Sequence, residues 1–404
     1  MQRTTQAERA ALALDGGTPV RARLLPYARQ SIGPTEVEAV VAALGSDWLT
    51  TGPRVGEFEQ RFAEATGARH AVAVSSGTAA LHVAMAALEL REGDEVLVPA
   101  LTFAASANAA LYVGARPVFV DVDPGTLLVD PLDAARKLGP RTRALVAVDY
   151  AGQTCDYAVL QSFCAASGLE LVSDACHALG ALDELGRVGT LARLNTFSLH
   201  PAKHITSAEG GVVTTADGEL ASRLRTLRNH GIDTDLAQRE RTGAHHYDVA
   251  RLGWNYRLTD LQCALGSAQL AHLEEFVARR AHLATRYAQA LERHELVRPL
   301  RRRPGAGHAW HLYVVQLELE RLRADRDRIF RALRAEGIGV QVHYRPLPLH
   351  SLYRERLGTR AGDCPVAEAA YQRLLSLPLF PGMSDADQDD VLHALDKVLE
   401  AYRA

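Results

Sequence analysis

Short runs of apolar residues alternate with helical patterns along the chain from Thr35 onward. The apolar runs lie within AVAV, DEVLVPA, RPVFVDVD, RALVAVD and LELVSDA, and amphipathic stretches separate them. Strands that alternate with helices build a parallel sheet whose faces are covered by the helices. In such sheets ligands bind beyond the carboxyl ends of the strands, where loops and helix N-termini converge. The pattern therefore predicts an α/β fold with its chemistry in the segments that follow the strands.

A second α/β region is predicted after a long helical pattern that begins near Thr259. This pattern runs through TDLQCALGSAQLAHLEEFVARRAHLATRYAQAL, and HLYVVQLEL and GVQVHY then have the composition of strands flanked by helices. A chain of 404 residues exceeds what one hydrophobic core usually supports. We therefore predict an N-terminal arm over residues 1–24, a large domain over 25–265 and a smaller α/β domain over 266–404 that starts with the long linking helix.

The composition is typical of a soluble globular protein. Hydrophobic residues make up 47% and charged residues 23% of the chain, and the formal net charge is −3, so we expect no nucleic-acid or membrane partner. No segment resembles a secretory signal or a membrane span, and we expect a cytoplasmic protein. The five cysteines are odd in number and show no C-x-x-C spacing, which argues against a disulfide framework or structural zinc. Adjacent His245 and His246 match no metal-ligand spacing either, and we expect no metal.

Small and hydroxyl-bearing residues follow AVAV at the start of a helical pattern. Ser76, Gly77 and Thr78 lie directly before the run AALHVAMAALEL. Unpaired N–H groups at a helix start attract an anion, small residues let a phosphate approach, and the hydroxyls of Ser76 and Thr78 can add hydrogen bonds. The alternative is an ordinary Ser/Thr helix cap. From these residues alone both interpretations stay open.

Three further residues suit an aromatic ligand that carries an aldehyde. Phe103 could stack on a planar ring, with core packing as the alternative. Asp174 ends LELVSD, where a buried carboxylate requires a cation such as a protonated pyridine nitrogen, and a helix cap is the alternative. Lys203 has small and turn-forming neighbours, and it could form a Schiff base if burial and nearby positive charge keep its amine neutral. A solvated surface lysine is the alternative.

Ten segments carry a resemblance that covers nearly the whole chain from Leu25 onward. The main four are SSGTAAL, PALTFAASANA, SDACHALGA and FSLHPAKHITSAEGG, and the match continues through SDWLTTGP, VDYAGQTCD, GWNYRLTDLQCALG, WHLYVV, VHYRPL and SLPLFPGMS. In this order and spacing they resemble the motifs of the DegT/StrS family of nucleotide-sugar aminotransferases. The resemblance implies the aspartate-aminotransferase fold (fold type I), with a mainly parallel seven-stranded sheet in the large domain, and pyridoxal 5′-phosphate (PLP) as the cofactor.

The resemblance also implies catalytic roles. Lys203 corresponds to the lysine that binds the cofactor covalently, Asp174 to the aspartate on the pyridine nitrogen, and Phe103 to the aromatic residue stacked on the ring. This chain departs from the usual motif around the lysine, with Leu199 in place of Phe and Ser-Ala in place of Thr-Gly. The departures leave Lys203 itself in place, which argues against the branch of relatives that carry histidine there and act as dehydrases.

Further cofactor contacts follow from the same resemblance. Gly77, Thr78 and Ser198 correspond to phosphate contacts, and His177 takes a position that in relatives is Gln or His beside the cofactor. Asn255, within NYRL, resembles an asparagine that relatives donate to the cofactor phosphate across a dimer interface. The resemblance therefore implies a homodimer with shared active sites.

The implied reaction is transamination of a nucleotide-linked keto sugar with L-glutamate as the amino donor. His200 and His204 beside Lys203, together with SDWLTTGP, WHLYVV and VHYRP, most resemble enzymes acting on 4-keto-6-deoxy sugar nucleotides, with the pseudaminic-acid-pathway type on a UDP-linked sugar closest. Alternatives are a 3-keto sugar, a keto-cyclitol, a PLP-dependent sugar dehydrase and a non-catalytic sugar-nucleotide-binding regulator. The candidates for substrate contact are Trp48, Thr51, His200, His343, Tyr344 and Arg345.

Overall fold

The computed structural model describes residues 11–234, 243 and 245–404, and a mainly parallel sheet of seven strands lies at its centre. The strands, in chain order, are β1 (His70–Val74), β2 (Glu95–Pro99), β3 (Arg116–Val120), β4 (Thr142–Val148), β5 (Glu170–Asp174), β6 (Leu182–Asp183), β7 (Gly186–Arg187), β8 (Leu194–Ser198), β9 (Gly211–Thr215), β10 (Val297–Pro299), β11 (Tyr313–Leu317) and β12 (Leu374–Leu377). The central sheet has the order β1-β9-β8-β5-β4-β2-β3; β9 runs antiparallel to both of its neighbours, and the other pairs are parallel. The five apolar runs of the sequence form β1 to β5, which confirms their prediction as strands. β2 to β5 pair in parallel as expected, whereas β1 pairs with β9 in the antiparallel direction.

Helices cover the sheet and join its strands. In chain order they are α1 (Pro34–Leu44), α2 (Pro53–Thr66), α3 (Gly77–Ala87), α4 (Ala104–Tyr112), α5 (Pro131–Lys137), α6 (Tyr157–Ser167), α7 (Gly218–Arg228), α8 (Asp260–Leu270), α9 (Leu273–Leu291), α10 (Arg326–Ala335), α11 (Ser351–Leu357), α12 (Pro365–Tyr371) and α13 (Asp385–Ala401). Helices beside the central sheet pack their apolar side chains on it, as Phe62 of α2 does against the ring of Phe197 in β8. Burial of such aromatic side chains stabilises this layered arrangement.

The long helix predicted from Thr259 is in fact two helices. Thr259 caps α8 in a capping box with Gln262, and Ala271 and His272 separate α8 from α9. His272 has φ −97° and ψ 1°, and its ring stacks on Phe276 with the centroids 5.7 Å apart. The apolar periodicity continues through this break, which is why the sequence predicts a single helix.

The strand predicted in GVQVHY is also wrong. Ile338 forms a single bridge with Leu25, and Gln341 forms another with Ser376. The segment thus changes partner within three residues and runs along neither. Gly339 permits this crossing, since a Cβ there would lie 2.6 Å from the carbonyl oxygen of Leu25. The strand predicted in HLYVVQLEL is confirmed as β11, the central strand of an antiparallel sheet with β10 and β12.

Buried apolar residues form two clusters. The larger cluster surrounds the seven-stranded sheet, and the smaller one surrounds the three-stranded sheet together with α9, α10 and α13. Leu12 and Leu25 from the N-terminal part of the chain belong to the smaller cluster. Buried Glu336 accepts hydrogen bonds there from the main-chain N–H groups of Ala13 at 2.8 Å and Val20 at 3.0 Å. The domain boundaries at residues 24 and 265 stay predictions.

The carboxyl ends of β1 and β8 lie on either side of the first residue of β9. Gly211 pairs with Val74 in β1 and with Ser198 in β8. The chain leaving β1 passes so close that a Cβ on Gly211 would lie 2.3 Å from the carbonyl oxygen of Ser76. Next to β8, and parallel to it, runs β5, which ends at Asp174. One edge of the sheet therefore collects the segments after all three strands.

Candidate active site

A helix N-terminus and two hydroxyl groups form one side of this edge. Ser76 caps α3, since its side-chain oxygen accepts a hydrogen bond from the Ala79 N–H at 3.0 Å. The helix cap weighed above is thus present, and the unpaired N–H groups of the first turn can still receive an anion. Gly77 faces Ser198, and a Cβ on Gly77 would lie 2.7 Å from the Ser198 Cβ. We call Ser76, Gly77, Thr78 and Ser198 the α3 cradle.

Asp174 presents a buried carboxylate next to the cradle. Its side chain accepts hydrogen bonds from the Ser106 hydroxyl at 2.7 Å and from the Cys176 N–H at 3.3 Å, and the residue is 6% exposed. Residues 176–180 form turns, so the alternative role of Asp174 as a helix cap is wrong. Both donors are uncharged, which leaves the carboxylate suited to a cationic partner.

Lys203 lies in the loop between β8 and β9, and its main-chain N–H donates to the His200 carbonyl at 2.8 Å. Burial lowers the pKa of the Lys203 amine, while Cys176 and Asp174 act in the opposite direction. A lysine in such surroundings keeps a larger neutral fraction than a solvated one. The alternative of a solvated surface lysine is therefore wrong.

A cavity of about 470 Å³ joins these groups. The predicted site residues that line it are Ser76, Gly77, Thr78, Phe103, Asp174, His177, Ser198, His200, Lys203, His343 and Tyr344. The lining also includes Cys176, Glu209, His311 and Tyr27, which the sequence analysis did not select. Cys176, Glu209 and His311 lie inside the motifs SDACHALGA, FSLHPAKHITSAEGG and WHLYVV, so their positions in these motifs are a sequence signal for the site. Tyr27 lies before α1 and β1 in the chain, and no motif or apolar pattern of the sequence marks it as a cavity residue.

Neutral imidazoles and the phenol group of Tyr344 form another part of the cavity wall. The ring centroids of His177 and His311 lie 4.3 Å apart, and the Tyr344 hydroxyl is 3.1 Å from His177 Nε2. Burial lowers the pKa of His177 and of His311 far below the usual value, and that of His343 to about 4. These imidazoles are therefore uncharged at neutral pH and can exchange hydrogen bonds without adding charge.

Phe103 stands at the mouth of the cavity with 59% of its surface exposed. It directly precedes α4, and its ring centroid lies 6.1 Å from that of Tyr344. Its alternative role in core packing is therefore wrong. An exposed aromatic face at this point is available to stack on a planar ligand.

Four predicted residues lie outside the lining of the cavity. Trp48 is 39% exposed, and exposed Thr51 has a φ of 56°. Arg345 donates through Nη2 to the Leu349 carbonyl at 2.9 Å. Asn255 is exposed and forms a single bridge with Asn229. Their predicted roles in substrate or cofactor binding stay predictions.

Among residues 11–234, 243 and 245–404, we find no group of three or more His, Cys, Asp or Glu side chains that could hold a metal ion. Within the same ranges, no helix combines the length and apolar character needed to cross a bilayer.

The fold and this site define a class of enzyme. Residues 30–396 match the model of the DegT/DnrJ/EryC1/StrS aminotransferase family, and the chain belongs to this family. It is a PLP-dependent sugar aminotransferase, as its family and its structural neighbours are. The resemblance, the fold class and the cofactor predicted from the sequence are confirmed.

Similar proteins cover nearly the whole chain. SpsC of Bacillus subtilis, a spore coat polysaccharide biosynthesis protein, is 39% identical over 383 residues, which span 94% of this chain and 98% of SpsC. The sugar-aminotransferase candidate Spr1654 from Streptococcus pneumoniae, in its PMP form, superposes with a TM-score of 0.88 at 30% identity, over 93% of this chain and 99% of that chain. PseC from Helicobacter pylori, an aminotransferase of pseudaminic acid biosynthesis, gives a TM-score of 0.87 at 29% identity, over 94% and 100%.

The cavity fits the cofactor of this family. The α3 cradle suits a phosphate, since its Gly77 position leaves room that a Cβ would fill. The Asp174 carboxylate suits a protonated ring nitrogen, and the Lys203 amine, with its lowered pKa, suits an aldehyde. Phosphate, ring nitrogen and aldehyde each have a matching group on one cavity, so PLP can be held here by residues of this chain.

Proposed function

We propose that this enzyme moves the amino group of L-glutamate to a nucleotide-linked keto sugar, with a 4-keto-6-deoxy hexose as the preferred class. The observation that carries the proposal is the convergence of Lys203, Asp174 and the α3 cradle on one cavity of about 470 Å³. The names of two relatives support a sugar product, since PseC acts in pseudaminic acid biosynthesis and SpsC in spore coat polysaccharide biosynthesis.

Bound PLP supplies an aldehyde for attachment and a ring that withdraws electrons from the reacting carbon. Lys203 then serves as the proton carrier: its neutral Nζ can accept a proton at the cavity and return it. Burial lowers the pKa of this amine, so a larger fraction of it is neutral than in a solvated lysine. Asp174, whose carboxylate accepts hydrogen bonds from Ser106 and Cys176, would hold the ring nitrogen of the cofactor.

The wall formed by His177, His311 and Tyr344 has a complementary task. These groups are buried or largely buried, and burial keeps both imidazoles neutral. They can therefore hold hydroxyl and carbonyl groups of a sugar without repelling or trapping charge.

The test is an absorbance experiment on the purified protein with PLP. L-glutamate should remove the band of the lysine-bound cofactor, and a 4-keto-6-deoxy sugar nucleotide should restore it. A dehydrase would release the sugar hydroxyl without consuming glutamate, and a non-catalytic regulator would show no response to either compound. Restoration by a 3-keto sugar or a keto-cyclitol alone would move the proposal to that substrate class.

Gly77→Ala should weaken PLP binding while leaving the fold intact. The added Cβ would meet the Ser198 Cβ at 2.7 Å, so the cradle must distort where the phosphate enters. We expect the dissociation constant of PLP to rise at least about tenfold, which equals about 1.4 kcal/mol. Fluorescence or absorbance titration with PLP measures it. Gly56→Ala is the matched control. Gly56 is exposed on α2, and nothing lies within 4 Å of a Cβ placed there, so the affinity of this variant for PLP should equal that of the wild type. Equal affinities of the two variants would contradict the role of the cradle.

We also propose a homodimer in which Asn255 completes the cavity of the partner subunit. Exposed Asn255 lies outside the cavity lining of its own chain, which supports a role across an interface. Asn255→Ala and Lys203→Ala should each be defective. A dimer that combines the two variants keeps one cavity with an intact lysine and an intact asparagine, so mixing them should restore activity.

A statistical mixture of subunits should reach about one quarter of the wild-type activity, since half of the dimers are mixed and each holds one intact site. Activity assays of the separate and mixed variants, with light scattering to establish the dimer, measure this. The control is a sample that contains Lys203→Ala alone and is taken through the same subunit-exchange conditions. If the mixed sample is no more active than its components, Asn255 does not act across the interface.

A further inference from the structure

Two adjacent arginines on α9 have opposite environments. Arg279 lies toward the surface, where it donates to Asp385 at 2.8 Å. Arg280 is only 1% exposed and is among the largest fully buried side chains of the described residues. Burial lowers the pKa of Arg280 to about 10, so it still carries its charge at neutral pH. A buried charge is costly, and its position calls for an explanation.

The hydrogen bonds of Arg280 go to main-chain carbonyls. Its Nη1 lies 2.9 Å from the Leu379 oxygen, 3.3 Å from the Trp310 oxygen and 3.3 Å from the His311 oxygen. Its Nε is buried without a hydrogen-bond partner. Through Nη1, Arg280 connects the segment of Trp310 and His311 to that of Leu379 and keeps a positive charge in the interior.

The segment that Arg280 holds borders the active-site lysine. His311 lines the cavity and is 5% exposed, and its ring lies 4.3 Å from His177 and 5.7 Å from His204, measured between centroids. His204 directly follows Lys203, and its Nε2 is 3.0 Å from the Ala309 carbonyl. Arg280 and His204 thus fix the same short segment from two sides.

The charge of Arg280 also reaches the groups of the cavity. It contributes to lowering the pKa of Lys203, of His204 and of His311, in each case together with burial as the largest cause. The other groups that face Lys203 are Asp174, Cys176, His177, His204, His311, His343, His200, Glu209 and Tyr344. Asp174 and Cys176 act on the pKa of the lysine in the opposite direction to Arg280. Arg280 lies outside the cavity lining, and its hydrogen bond to the His311 carbonyl brings its charge to the wall of the cavity.

We propose that Arg280 is a positioning residue of the transamination site, which holds the His311 segment in place and keeps a positive charge behind Lys203. The inference rests on the proposed role of Lys203 as the cofactor lysine. It predicts that removing the charge makes the Lys203 amine easier to protonate, since a nearby cation disfavours the protonated form. The amine then becomes neutral only at higher pH.

The test follows the rate at which the visible band of lysine-bound cofactor appears after PLP is added to the cofactor-free full chain, between pH 6 and 10. The rate requires a neutral Lys203 amine, so its midpoint reports the pKa of that group. Arg280→Gln keeps hydrogen-bond donors but removes the charge, and its midpoint should rise by about one pH unit. Arg280→Lys keeps the charge, and its midpoint should stay at the wild-type value. Arg279→Gln is the matched control on the same helix and should also match the wild type.

Each result has a defined meaning. A midpoint of Arg280→Gln equal to the wild type, in a variant whose circular dichroism shows a native fold, overturns the inference. If Arg280→Gln does not fold, Arg280→Lys decides: a shifted midpoint in that variant contradicts a role for the charge, and an unshifted one supports it. Absence of the band in the wild-type protein would instead contradict the proposed function, and the two failures are thereby distinguished.

Discussion

Lys203→Ala should abolish transamination and remove the visible band of the lysine-bound cofactor. The variant loses both the amine that attaches to the aldehyde and the Nζ that carries the proton, so we expect the turnover rate to fall by at least about 10³-fold. PLP itself should still bind, because the α3 cradle and Asp174 remain. Absorbance spectra with PLP and with L-glutamate, together with a 2-oxoglutarate assay, measure both effects.

The scarcity of lysine in this chain gives the experiment a sharp control. The chain contains three lysines, Lys137, Lys203 and Lys397. Lys137 pairs with Asp133 at 2.9 Å, and Lys397 pairs with Glu336 at 2.9 Å. Lys137→Arg preserves its ion pair and should leave the spectrum unchanged, whereas Lys203→Arg should be inactive because a guanidinium stays protonated. If Lys203→Ala showed the wild-type absorbance band, the cofactor would be bound to another lysine, and the role proposed for Lys203 would be wrong.

Asp174→Asn should produce the second-largest loss, about 10²- to 10³-fold in turnover rate. The amide has nearly the size of the carboxylate, so the cavity should keep its shape. It carries no charge, however, and a ring nitrogen facing it at this buried position would lose the partner that favours its protonated form. Single-turnover rates with L-glutamate measure the loss directly.

A graded control separates the charge of Asp174 from its orientation. Ser106→Ala removes one hydrogen bond to the carboxylate but leaves the charge, and we expect a loss of about tenfold or less. The turnover rate of Asp174→Asn should therefore be lower than that of Ser106→Ala. A rate for Asp174→Asn close to that of the wild type would show that the ring nitrogen does not depend on this carboxylate.

Much of the architecture could be predicted from local patterns. The runs that form β1 to β5 are short, apolar and separated by amphipathic helices, and this periodicity needs no knowledge of distant contacts. The same pattern predicts chemistry in the segments at strand ends, and Asp174 at the end of β5 and Ser76 after β1 both line the cavity. The same local reasoning failed where partners change within a few residues, as at Ile338 and Gln341.

The cavity wall could be predicted only in part, because it depends on contacts between distant segments. In the sequence nothing distinguishes Arg280 from its neighbour Arg279 in the same amphipathic pattern. Its hydrogen bond to the His311 carbonyl forms only in the folded chain. Tyr27 reaches the cavity from the N-terminal region without a motif of its own. The small number of lysines, by contrast, follows from the sequence alone, and it favours Lys203 as the cofactor lysine.

The attachment of the N-terminal segment has a consequence for the order in which this protein is completed. Glu336 bonds to Ala13 across 323 positions of sequence, and Lys397 donates both to Glu336 and to the carbonyl of Thr18, each at 2.9 Å. During synthesis the segment around Ala13 emerges long before its partners Glu336 and Lys397. The neighbouring strands of the central sheet can associate meanwhile, because their loops are short in comparison. The smaller core can therefore close only after Lys397 has been synthesised, and its closure joins two segments 323 positions apart in the sequence.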